Sequence, residues 1–346
     1  MQKLTITLLL ISLVVTNCNK KNVLNSSEFE TYKILYNSNN NIHIMDEDGS
    51  NQIKLTDYSY DNIYKGAYVE DIYSKNQKIL FTQFIHDSTT HKTRYINFTM
   101  DIHGKNIKSL NNSVYRPFHP KFSLDGLFIV FKGTENVDDL YIMKSDGSNI
   151  KNITNDNVND GFPHFSSNSE EIIYLSENDI YTINFDGSNK AKLNTTDNVY
   201  GSNFCVSKDG SKIVYISSSK IYMINSNSRD NEMLIEAGVC YKPMISNDNS
   251  KIAFVSWMED GYENGYNIKI FDIETRNDVI VANTLRPAND YWRPNILFTP
   301  DDESIIFTRY HNDNLEIFMV DIDGSNLHNL TNSPDDEILG QIYIEN

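Results

Sequence analysis

A four-residue string, Asp-Gly-Ser-Asn, recurs at Asp48–Asn51, Asp146–Asn149, Asp186–Asn189 and Asp323–Asn326, with a near copy at His103–Asn106. Each copy follows a run rich in Ile, Tyr and Met, such as Leu140-Tyr141-Ile142-Met143, and precedes a shorter run ending near Leu-Thr or Leu-Asn. Two further copies, from Lys220 and Asn267, have lost the glycine. A second element lies upstream in each unit. It opens on a proline or aromatic, passes a Ser-x-Asp-Gly or Asn-Ser turn, and continues into an apolar run; it begins at His119, Phe162, Ser202, Tyr241 and Asn295, and more weakly at Val69. Six steps carry Gly49 to Gly324, a period of roughly 46 residues.

Few architectures tolerate such a period. Ala- or Leu-rich stretches with helical spacing are lacking, whereas 21 Tyr, 17 Phe and many Ile favour strands, and clustered Asn and Asp favour turns. Each unit reads as four short strands. Asp-Gly suits the connection between the third and fourth, because a tight turn needs positive φ, which Gly adopts at no steric cost. The second and third strands are apolar at successive positions, as in Ile172-Ile173-Tyr174-Leu175 and Ile213-Val214-Tyr215-Ile216. A half-exposed sheet would alternate; unbroken runs imply burial on both faces, as in blades stacked around a ring. The expected fold is therefore an all-β β-propeller over residues 31–346, with about seven four-stranded blades, six or eight remaining open.

The repeat resembles the TolB-type, WD-repeat-like propeller unit, whose pattern runs Pro-x-Phe/Trp-Ser-Pro-Asp-Gly, Ile-Ala-Phe, Ile-Tyr-Val-Met-Asp, Asp-Gly-x-Asn, Leu-Thr. The stretches Phe122–Thr154 and Leu297–Thr331 match it closely, and the resemblance covers about residues 32–346. It implies a cell-envelope protein-binding module. TolB itself carries an additional N-terminal α/β domain that this sequence lacks, so a role in the Tol system is not implied. The first unit starts at its second strand, Tyr32-Lys33-Ile34-Leu35-Tyr36, and Ile338 to Ile344 follow the last Leu-Thr. This terminal segment is expected to supply the missing inner strand of the first blade and so close the ring.

The N-terminus suggests export. Lys3 precedes an apolar or hydroxyl run of 12 residues, Leu4 to Val15, too short to span a bilayer but suited to a signal peptide. It leads into Val15-Thr16-Asn17-Cys18, which resembles a bacterial lipoprotein signal with Cys18 as the lipid-attachment residue; Asn17 stands where Ala, Gly or Ser is commonest. Residues 1–17 are thus expected to be a signal peptide and 18–30 a flexible tether. The membrane would be met through the lipid anchor only, at a periplasmic face or the cell surface. Of the other cysteines, Cys205 and Cys240 either pair or remain buried thiols.

A formal net charge of -17, without a cluster of Lys and Arg, argues against nucleic acid as a partner. No nucleophile elbow, zinc-protease helix, P-loop or dinucleotide fingerprint occurs, and no cofactor or metal is expected. The Asp-x-Asp-Gly starts at Asp46 and Asp321 place Gly fourth, not sixth as an EF-hand loop requires, and so read as hairpin turns. Candidate binding residues are those beside the prolines that open inner strands: Arg116, His119, His164, Trp292 and Arg293. Gathered at the channel mouth, they would suit an acidic peptide end or a sugar. The leading expectation is a monomeric, non-enzymatic scaffold that binds an envelope protein or a small ligand. The alternative is a carbohydrate lyase or hydrolase, which requires His119, His164, Arg116 and Arg293 to converge in one pocket.

Overall fold

The computed structural model describes residues 31–345 apart from 59–62, 112–115, 168–169, 197, 202, 259–264 and 286–294. It contains seven four-stranded antiparallel sheets. Six are consecutive in sequence. The seventh, blade one, is built from both ends of the chain: the terminal strand Glu337–Ile344 pairs with Tyr32–Ser38, followed outward by Asn41–Asp46 and Ile53–Lys54. The expected closing strand is therefore present, and the blade count is seven. One short 3-10 turn, Ser74–Asn76, is the sole helical element among the described residues.

The doubly buried second and third strands behave as their unbroken apolar runs imply. In blade four, Ile172, Ile173 and Tyr174 are each fully buried. Ile172 and Tyr174 pack with Val130, Leu140 and Ile142 of blade three, whereas Ile173 packs with Ile213 and Tyr215 of blade five. Successive side chains leave opposite faces of a strand, and both faces here meet another blade. The core is therefore a ring of seams between blades.

Two kinds of turn make the hairpins. Between second and third strands lie two-residue turns with both φ values positive, as at Asn39 and Asn40 (47° and 63°), or Glu177 and Asn178 (50° and 68°). The Asp-Gly-Ser-Asn string instead forms a longer loop after the third strand. In it Gly147 has φ 86° and Asn149 φ 57°, and the Gly147 amide donates to Lys144 O (2.8 Å).

The string also does something that local turn chemistry does not require. A Cβ added at Gly147 would stand 2.2 Å from the Leu110 carbonyl oxygen of the preceding blade. The same approach recurs at Gly49 against Leu330 (2.3 Å) and Gly104 against Leu55 (2.6 Å). The motif glycine is both a turn residue and the point where one blade's loop lies on the previous blade's outer strand. Gly147→Ala should thus lower stability by roughly 2–4 kcal/mol, combining left-handed strain with a backbone clash. Gly238 also has positive φ (68°) but nothing near its Cβ position, so Gly238→Ala should cost only about 1 kcal/mol. Urea unfolding of the two variants side by side measures the difference.

Cys205 and Cys240 are buried free thiols in one cluster, both pushed up to about 12 by burial. They pack in that cluster, where burial favours the neutral thiol. Among the described residues no helix is long and apolar enough to cross a membrane.

Candidate functional site

Strand register places one innermost residue per blade opposite the same point of the second strand. Going round from blade one these are Gln341, Asp71, Lys121, His164, Cys205, Met244 and Leu297. The ring is polar over blades one to four and apolar over blades five to seven. The division follows from sequence differences at a single repeat position.

His119 and His164 do not occupy equivalent places, although both adjoin a proline. His164 follows Pro163 and belongs to the ring, pairing with Ile173. His119 precedes Pro120 and sits in a β-bulge with φ 50°. Its counterparts are Phe162 (φ 52°) in blade four and Lys242 (φ 48°) in blade six, each also before a proline. The bulge turns the side chain toward the next blade, and His119 stacks on Phe162 with ring centroids 4.4 Å apart. His164 meets Phe204 of blade five edge-on at 5.4 Å.

Both histidines are held neutral. Desolvation, followed by the charges of Lys132 and Lys121, lowers His119 to about 4. Desolvation, then Lys121 and His119, lowers His164 to about 3. The Nδ1 of His119 is buried without a hydrogen-bond partner. Glu70, in the corresponding bulge of blade two, is pushed the other way, to about 7, chiefly by burial. Its carboxylate accepts from Thr82 Oγ1 (2.8 Å). Its carbonyl accepts from Lys121 Nζ (2.9 Å) and Gln341 Nε2 (3.3 Å), which ties blades one, two and three together at the hub. Across the ring, Lys242 Nζ donates to Asn295 Oδ1 (2.7 Å), and Asn295 Nδ2 donates to Leu339 O (3.0 Å).

Arg116 lies elsewhere. It is exposed, with its guanidinium 5.8 Å from the Tyr95 ring centroid and 5.7 Å from that of Phe118. Lys132 Nζ stands 5.4 Å from Phe118 and 2.7 Å from Asp138. Tyr95 and Phe118 are themselves 4.6 Å apart. An aromatic band thus runs from Tyr95 in blade two through Phe118 and His119 in blade three to Phe162 in blade four, with cations lying on it. Phe162, Lys132 and Asp138 also line an adjoining cleft of about 450 Å³, whose other walls include Asn157, Asp160 and Asn178.

Of the sequence-predicted residues, the structure brings His119 and His164 together in neighbouring blades and sets Arg116 apart on the aromatic band. Trp292, Arg293 and Cys18 lie outside the described residues. The aromatic members of the site, Tyr95, Phe118 and Phe162, were not expected. The signal for Phe118 and Phe162 is an aromatic one or two places before the inner-strand prolines Pro120 and Pro163; Tyr95, within the strand Lys92–Asp101, carries no such mark.

A family model described as the TolB beta propeller domain matches residues 28–240. No curated protein matches the chain in sequence. Among solved structures, TolB from Acinetobacter baumannii is similar with a TM-score of 0.53 and 15% identity, over 91% of this chain and 66% of that one. The chain thus spans slightly less than two thirds of that TolB. An oligogalacturonate lyase in complex with manganese gives 0.55 and 13%, over 85% and 96%. A Mycobacterium tuberculosis puromycin-hydrolyzing peptidase gives 0.59 and 11%, over 79% of this chain and 47% of that one. At these identities the likenesses concern the fold, which hosts both binding proteins and enzymes.

Proposed function

Because the chain belongs to the TolB beta propeller domain family, we propose that it is a non-enzymatic binding scaffold of the cell envelope, carried to a membrane by a lipid on Cys18. The observation that supports this reading is the aromatic band beside the polar cleft. Tyr95, Phe118 and Phe162 are fixed to three different blades, so the surface is preorganised and loses little entropy when a ligand docks. Two aromatic rings in contact with Arg116 lying against both are the composition of interface hot spots. With Arg116 and Lys132 on the rings, the band suits an acidic or aromatic segment of a protein partner.

Crosslinking in intact cells tests the scaffold. Wild-type protein should capture a partner that the double variant Arg116→Ala, Phe118→Ala loses by tenfold or more, with unchanged melting. Undiminished capture would remove the band from the binding surface. For the tether, Cys18→Ala should move the protein from the membrane fraction to the soluble one; continued membrane association would overturn it.

A second reading, an enzyme acting on carbohydrate, is favoured by Glu70, whose carboxyl at about 7 sits where general acid–base catalysis works best. Against it, the neighbouring histidines are packed and neutral, and Arg116 does not reach them. Turnover of acidic oligosaccharides that Glu70→Gln abolishes would establish this reading in place of the first.

A further inference from the structure

The seam between blades three and four holds Asp139, Asp156 and Asp160, whose nearest oxygens all lie within 4.8 Å of one another. Asp160 is 2% exposed, and both its carboxylate oxygens are buried without a hydrogen-bond partner. Asp139 is 7% exposed and accepts from Asn152 Nδ2 (2.9 Å) and Thr154 Oγ1 (3.1 Å). From this geometry we propose that Asp139, Asp156 and Asp160 form a calcium site that pins blade three to blade four.

The repeat supplies an internal comparison. Asp139 is the second residue of the third strand of its blade, Asp138–Lys144, and by register the corresponding residue of blade four is Asp179. There Lys192 stands opposite Tyr181 and pairs with Asp179 at 2.7 Å. In blade three the residue opposite Tyr141 is Asn152, so that internal cation is replaced by a neutral amide. The place of Asp160 beside Ser176 is taken at the seam of blades seven and one by Glu337 beside Ser38, and that of Asp139 by Glu316. There, however, Asp156 is matched by Ser333, whose backbone amide donates to Glu316 at 3.4 Å. Among the described residues, only the seam of blades three and four brings three carboxylates within 4.8 Å of one another.

Charge and size both favour a hard divalent ion. Lys190 Nζ approaches Asp156 at 3.1 Å, but this one ammonium is a third exposed and faces three carboxylates. Two oxygens on one calcium ion stand at most about 5 Å apart, twice the bond length, whereas magnesium limits them to about 4.2 Å. Oxygens within 4.8 Å of one another fall inside calcium's limit, and an all-carboxylate donor set suits that ion. The three acids come from a third strand, a connecting loop and an inner strand, so one ion would join elements of two blades.

Equilibrium dialysis of the full chain against calcium chloride, with metal counted by mass spectrometry, tests the site directly. One calcium per chain should bind with a dissociation constant of roughly 10⁻⁴ M, as in extracellular calcium modules. The nearly isosteric Asp160→Asn and the loop variant Asp156→Ser should each weaken it at least tenfold while keeping wild-type circular dichroism. Glu337→Gln, at the seam of blades seven and one, should leave it unchanged. Absence of saturable binding in the wild type would overturn the proposal. So would binding that survives Asp160→Asn and Asp156→Ser, or that is lost on Glu337→Gln.

Discussion

Removing the terminal strand, by ending the chain at Asn332, should abolish the folded state. Glu337–Ile344 pairs with Tyr32–Ser38 along its length, with a bulge between Leu35 and Tyr36. Leu339 and Tyr343 are each 2% exposed. Leu339 packs with Ile34, Tyr36, Ile306 and Ile317 on the blade-seven side; Tyr343 packs with Leu35, Ala67 and Phe81 on the blade-two side. The Leu339 amide donates to Thr308 Oγ1 (3.1 Å), and Gln341 reaches Glu70 O, so the strand bonds both neighbouring blades as well as its own. Loss of the two buried side chains costs about 2–5 kcal/mol each. Several ladder bonds add about 1 kcal/mol apiece. The sum approaches the roughly 5–15 kcal/mol that stabilises an entire domain. The truncated chain should be insoluble or lack a cooperative melt. A synthetic peptide of residues 333–346 added during refolding should restore the melt, because the strand is joined to blade seven by a single connection. A truncated chain that melts like wild type would show that the ring does not depend on this closure.

The hub histidines should give the protein a steep loss of stability in acid. Their folded pKa values, about 4 for His119 and about 3 for His164, lie below the unfolded value near 6.5. The unfolded chain therefore binds protons first as pH falls. Stability from the two residues is complete above about pH 6.5 and is lost progressively as pH falls through 4 towards 3. At about 1.4 kcal/mol per pKa unit the pair accounts for roughly 5 kcal/mol or more. Glu70 acts in the opposite sense. Its folded pKa, about 7, is raised, so its contribution is complete below the unfolded value near 4.5 and declines as pH rises through 7. Wild type should thus be most stable at mildly acidic to neutral pH, with Glu70 flattening the acid limb above pH 4.5. Urea midpoints measured from pH 8 to pH 3.5 on wild type and on His119→Gln, His164→Gln separate the contributions. The variant should lose most of the acid slope and keep the alkaline decline, which Glu70→Gln should remove in turn. An unchanged acid slope in the histidine variant would show that these rings titrate normally.

The site was less legible in the sequence than the fold, and particular residues show why. Proline-flanking pointed to His119 and His164, and both do lie at the hub. Yet their apparent equivalence was an accident of adjacency: His119 precedes its proline and His164 follows one. The two-residue bulge then gives them different registers, one stacking across a seam and the other joining the inner ring. Glu70 sits in the weakest copy of the repeat, where neither proline nor the usual aromatic marks the inner strand. Arg116 shared a motif with His119, but three residues along a bulged strand are enough to set it on the outer face of Phe118.

The repeat unit, strand order and ring closure were determined by the sequence itself, because they depend on local signals repeated in phase; the structure fixed the blade number at seven. Turn glycines, doubly buried apolar runs and an unpaired strand at each end act within one blade or between its immediate neighbours. What only the tertiary structure decided depends on where separate blades meet. The motif glycine became a contact between blades because the Leu110 carbonyl lies under Gly147. The aromatic band arose from ring contacts between three adjacent blades, and the three acids from Asp139, Asp156 and Asp160 folding onto one seam. A repeat specifies its own unit; the chemistry across its seams depends on residues tens of positions apart, whose proximity no local periodicity records.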